Sequence, residues 1–229
     1  MQSSRRQIIL LRLGKGINMK KDTLFLDVDT QYDFMRPEGR LYVPGAEGII
    51  DTVSEVRRVA MEKGYSIIAS TDWHSEGNKE ISDKPDFKTT FPVHCMAGKP
   101  GSERVGYLGE VQIDVIPNRK IDAAELMKKF EKGQFHVEVK KDELDPFSNP
   151  NMKEILEILR PKAVVVFGVA LDLCVRQAVE GLLEMGGINV YLLRDAVKGL
   201  GVKGDDVVIN ELKKRGVEVI KSTDLEKKF

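Results

Sequence analysis

The sequence predicts an α/β fold, a three-layer α/β/α domain built around a six-stranded, mainly parallel sheet. Three observations carry that reading. Short β-type runs alternate with longer segments of helical periodicity from residue 24 to residue 220. Ala163-Val164-Val165-Val166-Phe167-Gly168 has no polar residue, as a central strand covered on both faces requires. Several helical segments stop at glycine (Gly64, Gly186-Gly187 and Gly216), just before the next strand begins.

Taken in order, residues 24–28 read as a short buried strand. Residues 46–63 set Ile49, Ile50, Val53, Val56, Val59 and Ala60 at helical spacing. Residues 65–69 form the next strand and lead into a loop carrying Asp72 and His74. Residues 75–119 are polar and broken by Gly and Pro. They read as a long irregular excursion, and loops of that length are uncommon unless they carry function. A short helix is expected over 121–131 and a strand over 135–139. Residues 151–159 are helical, and Pro161 leads into the apolar run. A helix over 174–185, a strand over 190–193, a helix over 205–215 and a last strand over 217–220 complete the series.

No repeat, low-complexity tract or linker divides the chain of 229 residues, so residues 22–229 are expected to form one domain. Residues 1–21 are expected to be an extension outside the core. The stretch 1–18 has no acid and carries Arg5, Arg6, Arg12 and Lys15, and Met19-Lys20-Lys21 stands just before the first strand. The apolar residues 8–11 are stopped by Arg12, short of the ~7–15 residues of a secretory signal.

Lys plus Arg and Asp plus Glu number 36 each, so no net charge draws the chain to nucleic acid or to an anionic membrane. No apolar run approaches the ~18–20 residues of a membrane span. Two cysteines far apart, Cys95 and Cys174, do not make a secreted disulfide framework, and a reducing, cytoplasmic setting is expected.

Four constellations follow strand ends, where parallel sheets gather their ligands. The first is Asp29-Thr30-Gln31-Tyr32-Asp33-Phe34, whose leading acid is a candidate general base; the commoner use of such an acid is a turn cap. The second is Asp72, His74 and His94. Imidazole and carboxylate are ligands for Zn²⁺, Fe²⁺ and Mn²⁺, and three of them leave other coordination positions open. Asp-x-His is a common string, so the bland reading is a pair of loop histidines. The third is Lys140-Lys141, and a lysine ending a strand is usually just solvated. The fourth is residues 168–175, where a strand passes through glycine into a helix beginning near Cys174. A helix N-terminus favours a thiolate and offers N–H groups to an oxyanion. The bland alternative is a buried small apolar residue.

Five segments together resemble the nicotinamidases of the isochorismatase-like cysteine hydrolase superfamily: DTQYDF (29–34), STDWH (70–74), FPVHCMAGKPGSE (91–103), VKK with a later FS (139–148) and GVALDLCVRQA (168–178). They occur in family order over about residues 22–222. The resemblance implies a catalytic triad of Asp29, Lys140 and Cys174, with Lys140 preferred to Lys141 because it directly follows the apolar strand residue. It implies metal ligation by Asp72, His74 and His94. It places a non-proline cis peptide at Val169-Ala170, an oxyanion hole at the Ala170 and Cys174 amides, and ring-flanking aromatics at Phe34 and Phe91. Leu171 and Leu173 depart from the more polar or aromatic residues common around that cysteine. A further ligand between His74 and His94 stays open among Glu76, Glu80, Asp83, Asp86 and water.

The resemblance implies hydrolysis of nicotinamide to nicotinate and ammonia through a thioester, a step of NAD salvage. It implies one divalent metal, Zn²⁺ first with Fe²⁺ and Mn²⁺ as alternatives, a small-molecule partner and a homo-oligomer. The alternative within enzymes is a related amidase acting on another small carboxamide or on a carbamoyl or ureido substrate. A non-catalytic metal-binding or thiol-redox protein has no use for Asp29, the lysine and the glycine–cysteine junction together. Isochorismate hydrolysis needs neither a cysteine nucleophile nor a metal.

Overall fold

Alternate side chains of the apolar run leave the sheet on opposite faces, and both faces are covered. Val164 and Val166 pack into one buried cluster with Ile155, Leu156, Val175, Val179 and Leu182. Val165 and Phe167 pack into a second with Val53, Val56 and Ala60. Each such side chain contributes about 1.5–3 kcal/mol when taken fully out of water. That two-sided burial is why the run contains no polar residue.

The computed structural model describes residues 22–106, 113–131 and 136–229. The segment 1–21, expected to be an extension, lies outside the described residues, as does Phe135, expected in a strand. The strands are β1 (Thr23–Val28), β2 (Ser66–Asp72), β3 (Asp114–Ile116), β4 (His136–Lys141), β5 (Ala163–Val169), β6 (Asn189–Lys198) and β7 (Glu218–Ile220). The helices are α1 (Tyr32–Met35), α2 (Ile50–Glu62), α3 (Ala123–Glu131), α4 (Met152–Leu159), α5 (Cys174–Met185), α6 (Asp205–Lys214) and α7 (Leu225–Lys228). Among the described residues no helix is long and apolar enough to cross a membrane.

The α/β class and the parallel sheet agree with expectation, but the sheet has seven strands, not six, in the order β3-β4-β2-β1-β5-β6-β7. Every neighbouring pair is parallel. The additional strand, β3, lies inside the stretch read as irregular. Three residues ending before Pro117 are too short to show a periodicity of two. β6 is also longer than the expected 190–193, because it continues through Arg194 and Asp195 to Lys198.

β1 is central. The chain moves from β1 to β2 on one side and later to β5 on the other. The crevice beyond the carboxyl ends of these strands is where such folds bind ligands. Gly168 permits the close approach of β5 to β1 there: its φ is +116°, and an added Cβ would sit 2.0 Å from the Val28 carbonyl oxygen. Under the same sheet end, buried Asp27 pairs with Arg57 at 2.7 Å and Arg104 at 2.8 Å. Arg57 also donates to the Val105 carbonyl, tying the far end of the long excursion to the core.

Candidate active site

Asp29 leaves β1 with φ +48°, a left-handed conformation in which aspartate is better tolerated than most residues. Its side chain is fully buried and accepts from Ser70 Oγ at 2.7 Å. Asp72 ends β2 and Lys141 ends β4, and the parallel register sets the two side by side. The Lys141 ammonium, fully buried, lies 2.9 Å from Asp29 Oδ2, against Asp72 Oδ1, 3.1 Å from the Glu143 carbonyl oxygen and 3.9 Å from Cys174 Sγ. Cys174 is the first residue of α5, so its N–H has no acceptor within the helix. The preceding Val169–Ala170 peptide bond is cis.

The lysine assignment is corrected here. Lys140, not Lys141, was expected in the triad. Lys140 instead pairs with Glu138, and its ammonium lies 3.6 Å from the centroid of the Trp73 ring. Register explains the difference: Lys140 is level with Thr71, whereas Lys141 is level with Asp72 and shares its face.

Burial pushes the Cys174 thiol well above its usual range, and the Lys141 ammonium only partly offsets this. Burial also raises the Asp29 carboxyl, with Lys141 pulling the other way. An acid with raised proton affinity beside a protonated thiol is suited to receive its proton. For Lys141, burial favours the neutral amine, but Asp29 and Asp72 outweigh it and keep the ammonium charged.

On its other side, Asp72 faces two imidazoles. Its Oδ2 is 3.6 Å from His74 Nε2 and 3.5 Å from His94 Nε2. Donor atoms of Asp72, His74 and His94 lie within 4.8 Å of one another, and all three residues are buried. The carbonyl of Pro92 accepts from His94 Nδ1 at 2.7 Å, which leaves the Nε2 lone pair facing Asp72. Among the described residues neither ring nitrogen of His74 has a hydrogen-bond partner despite complete burial. Converging lone pairs without a proton to share fit a divalent cation of the zinc type.

Phe34, Leu41, Phe91, Leu144, Leu173 and Leu200 wall a tight pocket, with Asp72, His94 and Cys174 at its polar end. Phe34 and Phe91 both stand against His94, with ring centroids 5.4 and 6.1 Å away. Among the described residues no arginine or lysine lines this pocket. A larger concavity near Tyr32, Arg40, Glu76 and Lys99 contains none of the reactive groups.

Chain comparison places this arrangement in a family. An Isochorismatase domain model matches residues 23–224. The chain belongs to the isochorismatase family. The nicotinamidase of Saccharomyces cerevisiae is 27% identical over 207 residues, covering 81% of this chain and 91% of that one. The nicotinamidase/pyrazinamidase of Mycobacterium tuberculosis is 27% identical over 200 residues, covering 86% and 97%. The crystal structure of the Pyrococcus horikoshii pyrazinamidase in complex with zinc matches with TM-score 0.69 and 30% identity, covering 87% of this chain and 99% of that one.

Two features of the site were not assigned from this family member's sequence. Gln31 turns out to bond the backbone of Asp72, and its place two residues after Asp29 is the only signal of it. Of the four acids left open as a further ligand, Glu80 is the buried one. Its Oε1 accepts from the Leu144 N–H at 2.8 Å, and its Oε2 has no partner.

Proposed function

We propose that the chain is a metal-dependent nicotinamidase that hydrolyses nicotinamide to nicotinate and ammonia in NAD salvage. The observation that carries the reading is the convergence of Cys174, Asp29 and Lys141 beside Asp72, His74 and His94, at one end of an apolar pocket walled by Phe34 and Phe91. Asp29 takes the thiol proton from Cys174. The sulfur attacks the carboxamide carbon, and the Ala170 and Cys174 N–H groups receive the oxyanion. Loss of one such donor typically lowers rate ~10²–10³-fold. Lys141 balances the charge on Asp29 as it gains and returns the proton. Asp29 gives that proton to the leaving nitrogen, and ammonia departs as the thioester forms. Asp29 then takes a proton from water, which opens the thioester to nicotinate and restores the thiol.

Asp72, His74 and His94 would hold the divalent ion, Zn²⁺ before Fe²⁺ or Mn²⁺ on donor chemistry. Bound there, it would supply a Lewis acid for a pyridine nitrogen and so help fix the ring. Phe34 and Phe91 flank the ring.

Carbamoyl- and ureido-acid substrates carry a carboxylate; among the described residues no cationic side chain lines the pocket, and the Lys141 ammonium behind Cys174 is already paired with Asp29 and Asp72. That favours a neutral aromatic amide. The test is ammonia release from nicotinamide and from N-carbamoyl amino acids, with and without chelator. Chelator-sensitive release from nicotinamide alone is expected. Release from the carbamoyl acids only, or none from either, overturns the reading.

A further inference from the structure

We propose that Gln31 and Asp33 are positioning residues that brace the metal cradle from behind, Gln31 gripping Asp72 and Asp33 gripping the peptide that joins His94 to Cys95. The inference rests on the reading of Asp72, His74 and His94 as metal ligands.

Gln31 is fully buried. The Asp72 N–H donates to its Oε1 at 2.8 Å, and its Nε2 donates to the Asp72 carbonyl at 2.8 Å and the Ser102 carbonyl at 3.0 Å. Pairing between β1 and β2 stops at Val28 and Ser70, two residues before Asp72. The side-chain amide of Gln31 therefore replaces the strand neighbour that Asp72 lacks on that side. It satisfies both buried backbone groups of the residue that also meets Lys141.

Asp33 is almost fully buried, and its Oδ2 accepts from the Cys95 N–H at 2.7 Å. The Cys95 carbonyl in turn accepts from the His74 N–H at 3.1 Å. One residue, Cys95, thus connects the two histidines through its two flanking peptides, and Asp33 fixes its N–H. Cys95 sits at φ +43°, a conformation that side-chain-bearing residues seldom hold without outside bonds. Gly101 leaves room for the brace: a Cβ there would lie 2.1 Å from Asp33 Oδ2. Neither Gln31 nor Asp33 lines the pocket containing Cys174. Groups of this kind, which orient metal ligands without touching the metal, typically change affinity ~10–100-fold when altered.

The test compares full-length wild type, Gln31→Glu, Asp33→Asn and His74→Ala, stripped of metal and checked for folding by circular dichroism. Gln31→Glu keeps the acceptor for the Asp72 N–H and loses both donated bonds; Asp33→Asn keeps only one good acceptor. Zn²⁺ affinity is read by competition with a chromophoric chelator, and ligand geometry by the visible absorption of the Co²⁺ form. Zn²⁺ affinity ~10–100-fold below wild type is expected for both variants. Altered Co²⁺ bands and a raised KM, with smaller loss of kcat at saturating metal, are expected beside it. A purely structural role would lower Tm and leave the affinity of the folded protein unchanged. Wild-type affinity and Co²⁺ bands in a folded Gln31→Glu or Asp33→Asn protein overturn the proposal, and either variant suffices if the other fails to fold. Equal binding by wild type and His74→Ala would instead show that the metal-site reading itself is wrong.

Discussion

Replacing Lys141 with methionine keeps the aliphatic length and removes the charge. In the folded protein that charge lies 2.9 Å from Asp29 and against Asp72, with no exposed surface on the lysine. Removing one partner of a buried pair generally destabilises by about 3–5 kcal/mol. For a domain of this size each kcal/mol moves Tm by roughly 2–4 °C, so a fall of about 6–20 °C is expected. Asp29 also loses the group that balances its charge, and nicotinamide turnover should fall ~10²–10⁴-fold, the usual worth of a positioned acid–base pair. Lys140→Met gives the contrast. It removes a largely buried Glu138 pair and a contact with Trp73, neither of which reaches Asp29 or Cys174, so any loss should fall on stability. Its activity should match wild type. Thermal melts and ammonia-release rates on the two variants read the difference. Loss of turnover in Lys140→Met with near-normal turnover in Lys141→Met would refute the reasoning.

Three further outcomes are expected. Gly168→Ala forces a Cβ to within 2.0 Å of the Val28 carbonyl oxygen at φ +116°, so strongly reduced soluble yield or a large loss of Tm should follow, and wild-type Tm would refute the packing argument. His74→Ala should lose bound metal by elemental analysis, whereas Cys174→Ala should keep it and release no ammonia. Stability should fall on acidification in two stages, followed by urea midpoints against pH. Burial and the Arg104 charge depress His136 from 6.5 to about 4, so its contribution is full above about pH 6.5 and is lost between there and about pH 4. Burial works against the Asp27 carboxylate, but Arg104 and Arg57 outweigh it and hold it at about 2 against 3.8. Its contribution is lost only between those values, and a midpoint rising on acidification would contradict both.

Much of the fold could be read because burial on two faces leaves a plain mark. The run at 163–168 and the helical spacing of Val53, Val56 and Ala60 both report the layers they join. β3 left no such mark, since three residues at a sheet edge need no pattern. The choice between adjacent lysines was not legible either. Lysine ordinarily points to water, and only the register of β4 against β2 shows which one is buried with Asp72. At the thiol, burial works against ionisation and Lys141 works for it, and neither is visible in the local sequence around Cys174. Gln31 and Asp33 were quoted within a motif, yet their partners lie 41 and 62 residues further along the chain, a distance that local reasoning does not cross.

The most direct test is a single-turnover acid quench of wild-type enzyme with nicotinamide, followed by peptide mass mapping. A nicotinoyl group on the peptide carrying Cys174, formed as ammonia appears, is the expected result. Ammonia released at the full rate with no acyl group on that peptide, or with the group on Cys95 instead, would contradict a sulfur nucleophile at the start of α5.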